Sequence, residues 1–127
     1  MTLQGKIEGN TPLVRAQIGP GGRLRIGQSG RIVFVIDTGF TGGIALTEEM
    51  LKRLDLDFVG YDTFTLATGD EVELPMFLGQ VLVGARRIET SFILGENLLG
   101  MEFLASAFDR MEVNFARKEV HLASTAK

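Results

Sequence analysis

The sequence predicts an all-β fold with one or two short helices, and three observations lead there. Short runs rich in β-branched and aromatic residues follow one another, each closed by glycine-containing turn chemistry, and 16 of the 127 residues are glycine. Helical periodicity is low except over two short stretches. The run at 31–36 is apolar and β-branched beyond Arg31, the pattern of a strand buried on both faces. The chain is long enough to bury roughly two-thirds of its unfolded surface. No linker or low-complexity segment divides it, so residues 1–127 read as a single domain.

In chain order, residues 2–8 and 13–18 read as strands around a turn at Gly9-Asn10-Thr11-Pro12. Residues 23–26 form a short run between two glycine-rich turns, and the apolar run 31–36 leads directly into Asp37-Thr38-Gly39. A short strand is expected at 44–46. Thr47 then caps a helix over 48–53, with Glu48 and Glu49 near its positive end. Strands at 58–68 and 71–78 flank Gly69-Asp70, a pair suited to a hairpin turn. A further hairpin, 80–83 with 87–94, turns at Gly84. A second helix is expected at 101–108, and strands at 110–115 and 119–122 close the chain. The order strand, loop, short helix occurs twice, over 31–54 and 87–108, as a weak two-fold repeat.

Composition excludes several functions. With 45% hydrophobic and 23% charged residues the chain falls in the ordinary soluble globular class. A formal charge of −3 gives no electrostatic reason to bind nucleic acid or an acidic membrane surface. Arg15, Arg23, Arg25 and Arg31 read as solvated hairpin arms. The absence of cysteine removes disulfides, thiolate metal sites and a Cys nucleophile. No apolar leader run is visible and no run is long enough to span a bilayer, so the expected location is cytoplasmic.

The chemistry concentrates in Val33-Phe34-Val35-Ile36-Asp37-Thr38-Gly39-Phe40-Thr41. An apolar strand carries Asp37 inward, and the small residues after it allow two such loops to approach. This segment resembles the active-site strand and loop of retropepsin-like aspartic proteases, in their bacterial single-domain branch. The second half of that family carries two apolar residues, a glycine and a helix. Leu98-Leu99-Gly100-Met101-Glu102-Phe103-Leu104 is similar, with Ile93-Leu94-Gly95 as an alternative register. The resemblance covers about residues 11–122, through Met111-Glu112-Val113-Asn114-Phe115.

The resemblance implies a retropepsin-like acid-protease barrel that hydrolyses peptide bonds of a peptide or protein substrate, without metal or cofactor. Asp37 would be the catalytic carboxylate, with Thr38 and Gly39 setting the loop geometry and Leu99 and Gly100 forming the second-half loop. Thr68, Gly69 and Asp70 would form the tip of a flap. Phe40, where retroviral members carry a small residue, would narrow the adjoining substrate pocket. Aspartic proteases are known to use two carboxylates sharing one proton, one as general base and one as general acid. One Asp-Thr-Gly per chain implies a homodimer, Asp37 facing Asp37 across a two-fold axis. The terminal strands, 2–8 and 110–122, are expected as open edges that pair across it.

The alternatives are plainer. Asp37 could be a structural turn aspartate. A dehalogenase-type phosphatase needs a second acid where Gly39 stands. Gly39-Phe40-Thr41-Gly42-Gly43 is no dinucleotide or phosphate-loop fingerprint. His121, the one histidine, has no nucleophile elbow to serve and reads as a strand residue. Glu48-Glu49 and Asp55 with Asp57 read as a helix start and a solvated loop. Two other functional classes remain: a catalytically inactive dimer acting as a peptide-binding or assembly module, and a monomeric β-rich binding domain.

Overall fold

The computed structural model describes residues 2–27 and 29–125. Strand β1 (Thr2–Glu8) and strand β2 (Thr11–Gly19) are joined by Gly9 and Asn10 alone. Both turn residues have positive φ, 54° and 65°, as a two-residue hairpin turn requires to match strand twist. Then come β3 (Arg23–Ile26), β4 (Ile32–Ile36) and β5 (Ile44–Leu46), followed by helix α1 (Glu48–Arg53). Thr47 Oγ1 accepts the Met50 N–H at 3.4 Å, which supplies the expected cap.

The next hairpin pairs β6 (Asp57–Thr65) with β7 (Glu71–Val83). Its turn differs from the expected Gly69-Asp70 pair. Leu66 N donates to Asp70 O at 2.8 Å and Gly69 N donates to Leu66 O at 2.9 Å. Ala67, Thr68 and Gly69 therefore form a three-residue loop, with Gly69 at φ +90° in the position that only glycine adopts freely. Strand β7 also runs unbroken through Gly79, where two separate strands were expected. A Cβ there would meet Leu56 Cδ2 at 2.3 Å, so this glycine serves a close approach and not a turn. Strand β8 (Arg86–Leu94) returns after Gly84, then β9 (Leu98–Leu99), α2 (Met101–Ala107), β10 (Arg110–Asn114) and β11 (Glu119–Ala123) complete the chain. None of these helices is long and apolar enough to cross a membrane.

Following the pairings from β2 through β3, β7, β8, β5, β9 and β4 leads back to β2. The sequence repeat acquires a physical meaning here. Strand β4 pairs in parallel with β9, while β5 pairs in parallel with β8. Each half of the chain thus lends a strand to the other. Phe34, Phe92, Phe103 and Leu99 fill the core between them, all fully buried, and Phe103 meets Phe108 edge to face at 6.3 Å.

Two further expectations are corrected. Strand β4 is not buried on both faces: Phe34 and Ile36 enter the core, but Val33 is 39% exposed and Val35 half-buried. Its outer face lies open beside Leu13 and Arg15 of β2, because no second layer covers that side in the single chain. Nor is β1 an open edge. It is hydrogen-bonded to β11 on one side and β2 on the other, and Gln4 Nε2 also donates to Glu119 Oε2. At this end of the sheet the free edge belongs to β10.

Asp109, just before β10, ties down the segment after β11. Its Oδ2 accepts Thr125 Oγ1 at 2.5 Å and Thr125 N at 2.7 Å. These two bonds, the hydroxyl's first, hold the Asp109 carboxyl below the usual carboxylate range. A depressed carboxyl stabilises the fold above its unfolded pKa, and that contribution is lost as pH falls through the lowered value. The tether should therefore stay intact down to the ordinary aspartate pKa and release only below it. An NMR titration of the Thr125 amide checks this, and a midpoint above the ordinary aspartate value would refute it.

Candidate active site

Strand β4 delivers Asp37 onto a loop that the second half of the chain holds by its backbone. Val35 and Ile36 pair with Leu98 and Leu99, and the Asp37 N–H donates to Leu99 O at 2.9 Å. The loop then turns, with Phe40 N donating to Asp37 O at 3.2 Å. Its carbonyls meet the start of α2: Gly100 N donates to Gly43 O at 2.7 Å, Met101 N to Phe40 O at 2.8 Å and Glu102 N to Gly42 O at 3.1 Å. The first N–H groups of a helix have no partner inside it, and here the loop supplies acceptors for them.

Of the two segments considered in the sequence, this lacing holds 98–100 against the Asp37 loop. Leu99 and Gly100 stand against the Asp37 loop, whereas Gly95 N bonds Leu46 O at 2.8 Å, beyond the end of β8. Gly100 is required by contact and not by conformation. A Cβ there would lie 2.2 Å from Gly42 O and 2.6 Å from Phe40 Cδ2. Gly100→Ala should accordingly cost about 1–3 kcal/mol, because backbone must move. Urea unfolding measures it, and a change within about 0.5 kcal/mol, as at an ordinary surface site, would contradict this contact.

Asp37 is half-buried, and its Oδ1 accepts the Gly39 N–H at 3.0 Å. Its second oxygen has no hydrogen-bond partner among the described residues. Thr38 and Gly39 are exposed, and the Thr38 hydroxyl likewise has no partner among the described residues. Phe40 is half-buried, and its ring lies on two glycines: a Cβ at Gly42 would meet ring carbons at 2.7 Å. The ring is thus packed against Gly42 of its own loop and Gly100 at the start of α2.

Asp37, Thr38, Gly39, Phe40, Leu99 and Gly100 are thus brought together. Thr68, Gly69 and Asp70 sit at the exposed tip of the β6–β7 hairpin. Their hydrogen bonds stay within it, Thr68 Oγ1 donating to Asp70 Oδ2 at 3.1 Å. Among the described residues no hydrogen bond links the tip to the Asp37 loop. A cavity of about 320 Å³ opens elsewhere, on the outer face of β1 and β2 near Val33, and Asp37 does not line it. Among the described residues, no three His, Asp or Glu side chains gather to hold a metal ion.

Sequence reading missed the polar group behind the loop. Thr90 and Ser91 of β8 are buried, 4% and 5% exposed. Ser91 Oγ donates to Glu102 Oε1 at 2.8 Å. A serine and a glutamate eleven positions apart, on a strand and a helix, leave no periodic signature to find. Compared with family models, curated proteins and solved structures, the chain matches none of them.

Proposed function

We propose that the chain is one half of a homodimeric aspartic endopeptidase of the retropepsin type. Two copies of Asp37 share a proton at the two-fold axis and activate a water for attack on a peptide carbonyl. The observation that carries this reading is the Asp37 loop itself. Its carboxylate has a free oxygen, and its backbone is fixed through Leu99, Gly100 and α2. A general base must be held still and open to its substrate, and this loop meets both demands. Val33, on the strand leading to Asp37, and Met101, bonded to the loop, are 39% and 41% exposed. Burial of such apolar surface against a second copy would favour association. The hairpin tip at Thr68, Gly69 and Asp70 would close over the substrate as a flap, and β10 offers the strand edge for sheet pairing across the interface.

The test is cleavage of a peptide library at pH about 4–6, where a dyad holding one proton is competent, with and without pepstatin. Pepstatin-sensitive cleavage is expected; none in soluble dimer overturns the assignment. A second reading, a non-catalytic peptide-binding dimer, draws on exposed Phe58, Val59 and Tyr61 of β6. Such a surface binds chain segments whether or not a dyad turns over. Retention of library peptides without cleavage would favour it.

A further inference from the structure

We propose that Glu102 is the positioning residue of the Asp37 loop, acting through Ser91 and Gly43; its kinetic consequence rests on the protease reading, its structural one does not. Glu102 reaches the loop directly by its backbone and indirectly, through Ser91 of β8, by its side chain. Its N–H donates to Gly42 O at 3.1 Å, and its Oε1 accepts both Ser91 Oγ at 2.8 Å and Ser91 N at 3.3 Å. Ser91 in turn stands directly over Gly43. A Cβ on Gly43 would lie 2.3 Å from Ser91 O, 2.4 Å from Thr90 Oγ1 and 2.8 Å from Ser91 Oγ. Gly43 O takes the Gly100 N–H at 2.7 Å, and α2 runs on from Gly100 to Glu102. The circuit Gly43, Gly100, Glu102, Ser91 is therefore closed around the base of the loop.

The circuit depends on a single side-chain link. Thr90 Oγ1 is buried without a hydrogen-bond partner among the described residues, so Ser91 alone of the two hydroxyls joins β8 to α2. A carboxylate acceptor makes that link stronger than a neutral one would be. Without it, two buried Ser91 donors lose their acceptor, and the start of α2 is held to β8 by packing alone. That start supplies the donors for Phe40 O and Gly42 O, so its movement passes to the turn that sets Asp37. Glu102 never touches the reacting atoms; it fixes where they are.

The experiment compares the full chain with Glu102→Ala, Glu102→Gln and Ser91→Ala by amide hydrogen exchange, thermal unfolding and peptidase kinetics. In Glu102→Ala, exchange at the Asp37 and Phe40 amides should quicken by about tenfold while β1 and β11 amides hold their rates. The kcat should fall by about tenfold, with KM changed less than about twofold. Glu102→Gln keeps an oxygen acceptor in place and should restore most of both. Ser91→Ala removes the hydroxyl bond and leaves the backbone N–H at position 91 on Glu102, so it should give the same change in smaller measure, which keeps the test open if Glu102→Ala fails to fold. Unchanged Asp37 and Phe40 exchange in the alanine variants overturns the proposal, as does a glutamine variant no better than alanine. A wild-type chain without Asp37-dependent cleavage overturns the protease reading instead, and the exchange rates still decide the role of Glu102.

Discussion

Replacement of Asp37 by asparagine is expected to abolish turnover while leaving the fold intact. The asparagine side-chain oxygen can still accept the Gly39 N–H that Asp37 Oδ1 now takes at 3.0 Å, so the loop keeps its shape. What disappears is the group that would accept and return a proton in the proposed mechanism. General acid–base catalysis alone is worth about 10²- to 10⁴-fold, and in a symmetric dimer one substitution removes both members of the pair. The thermal midpoint should hold or rise, since two crowded carboxylates are relieved of mutual repulsion. Activity assays beside thermal melts of the same preparation measure both quantities. Cleavage retained by a sequence-verified Asp37→Asn protein would remove Asp37 from the mechanism.

Dilution should have an effect almost as large. In the proposed dimer each chain contributes one Asp37, so a monomer would have half a site. By mass action, specific activity per chain should fall as concentration drops through the dimer dissociation constant. Thr38 is exposed on the loop, its hydroxyl unengaged among the described residues. In the proposed dimer it bonds the opposite loop, so Thr38→Ala should move the fall to higher concentration. By symmetry two such bonds are lost, each worth about 0.5–1.5 kcal/mol, a shift of roughly five- to 150-fold. Activity against concentration, run beside sedimentation at the same pH, gives the answer. A flat specific activity where sedimentation finds monomer alone would mean that the site is complete in one chain.

How much of this was legible in the sequence varies with the kind of signal. Turn residues located the hairpins at Gly9-Asn10 and Gly84, which carry their conformational demand in their identity, although Thr11 and Pro12, read as part of the first turn, begin β2. Gly79 misled for the same reason: a glycine that admits Leu56 looks in sequence like one that ends a strand. Strand β9 has two residues, too few for any period to register, yet it holds the Asp37 N–H. Strand β4 read as doubly buried because Val33 and Val35 are apolar. Burial depends on whether something covers them, which pattern does not encode. The Asp37, Leu99 and Gly100 grouping came from resemblance, and the hydrogen bonds among their neighbours support the register. The Ser91 and Glu102 link was beyond reach, since polar pairs from distant segments have no spacing rule.

The exchange of strands between the two halves also governs when the loop can exist at all. Asp37 belongs to the first third of the chain, but the acceptor for its N–H is Leu99, and the partner of Val35 is Leu98. A polypeptide made from its N-terminus exposes Asp37 to solvent long before those partners emerge. Pairings between residues so far apart in sequence carry a large loop-closure cost and place folding on the slow, millisecond-to-second side of single domains. An unfinished chain ending before Leu99 therefore contains the aspartate without its geometry. Emergence of the segment that carries Leu99 and Gly100, rather than of the acidic residue, times the appearance of a shaped loop.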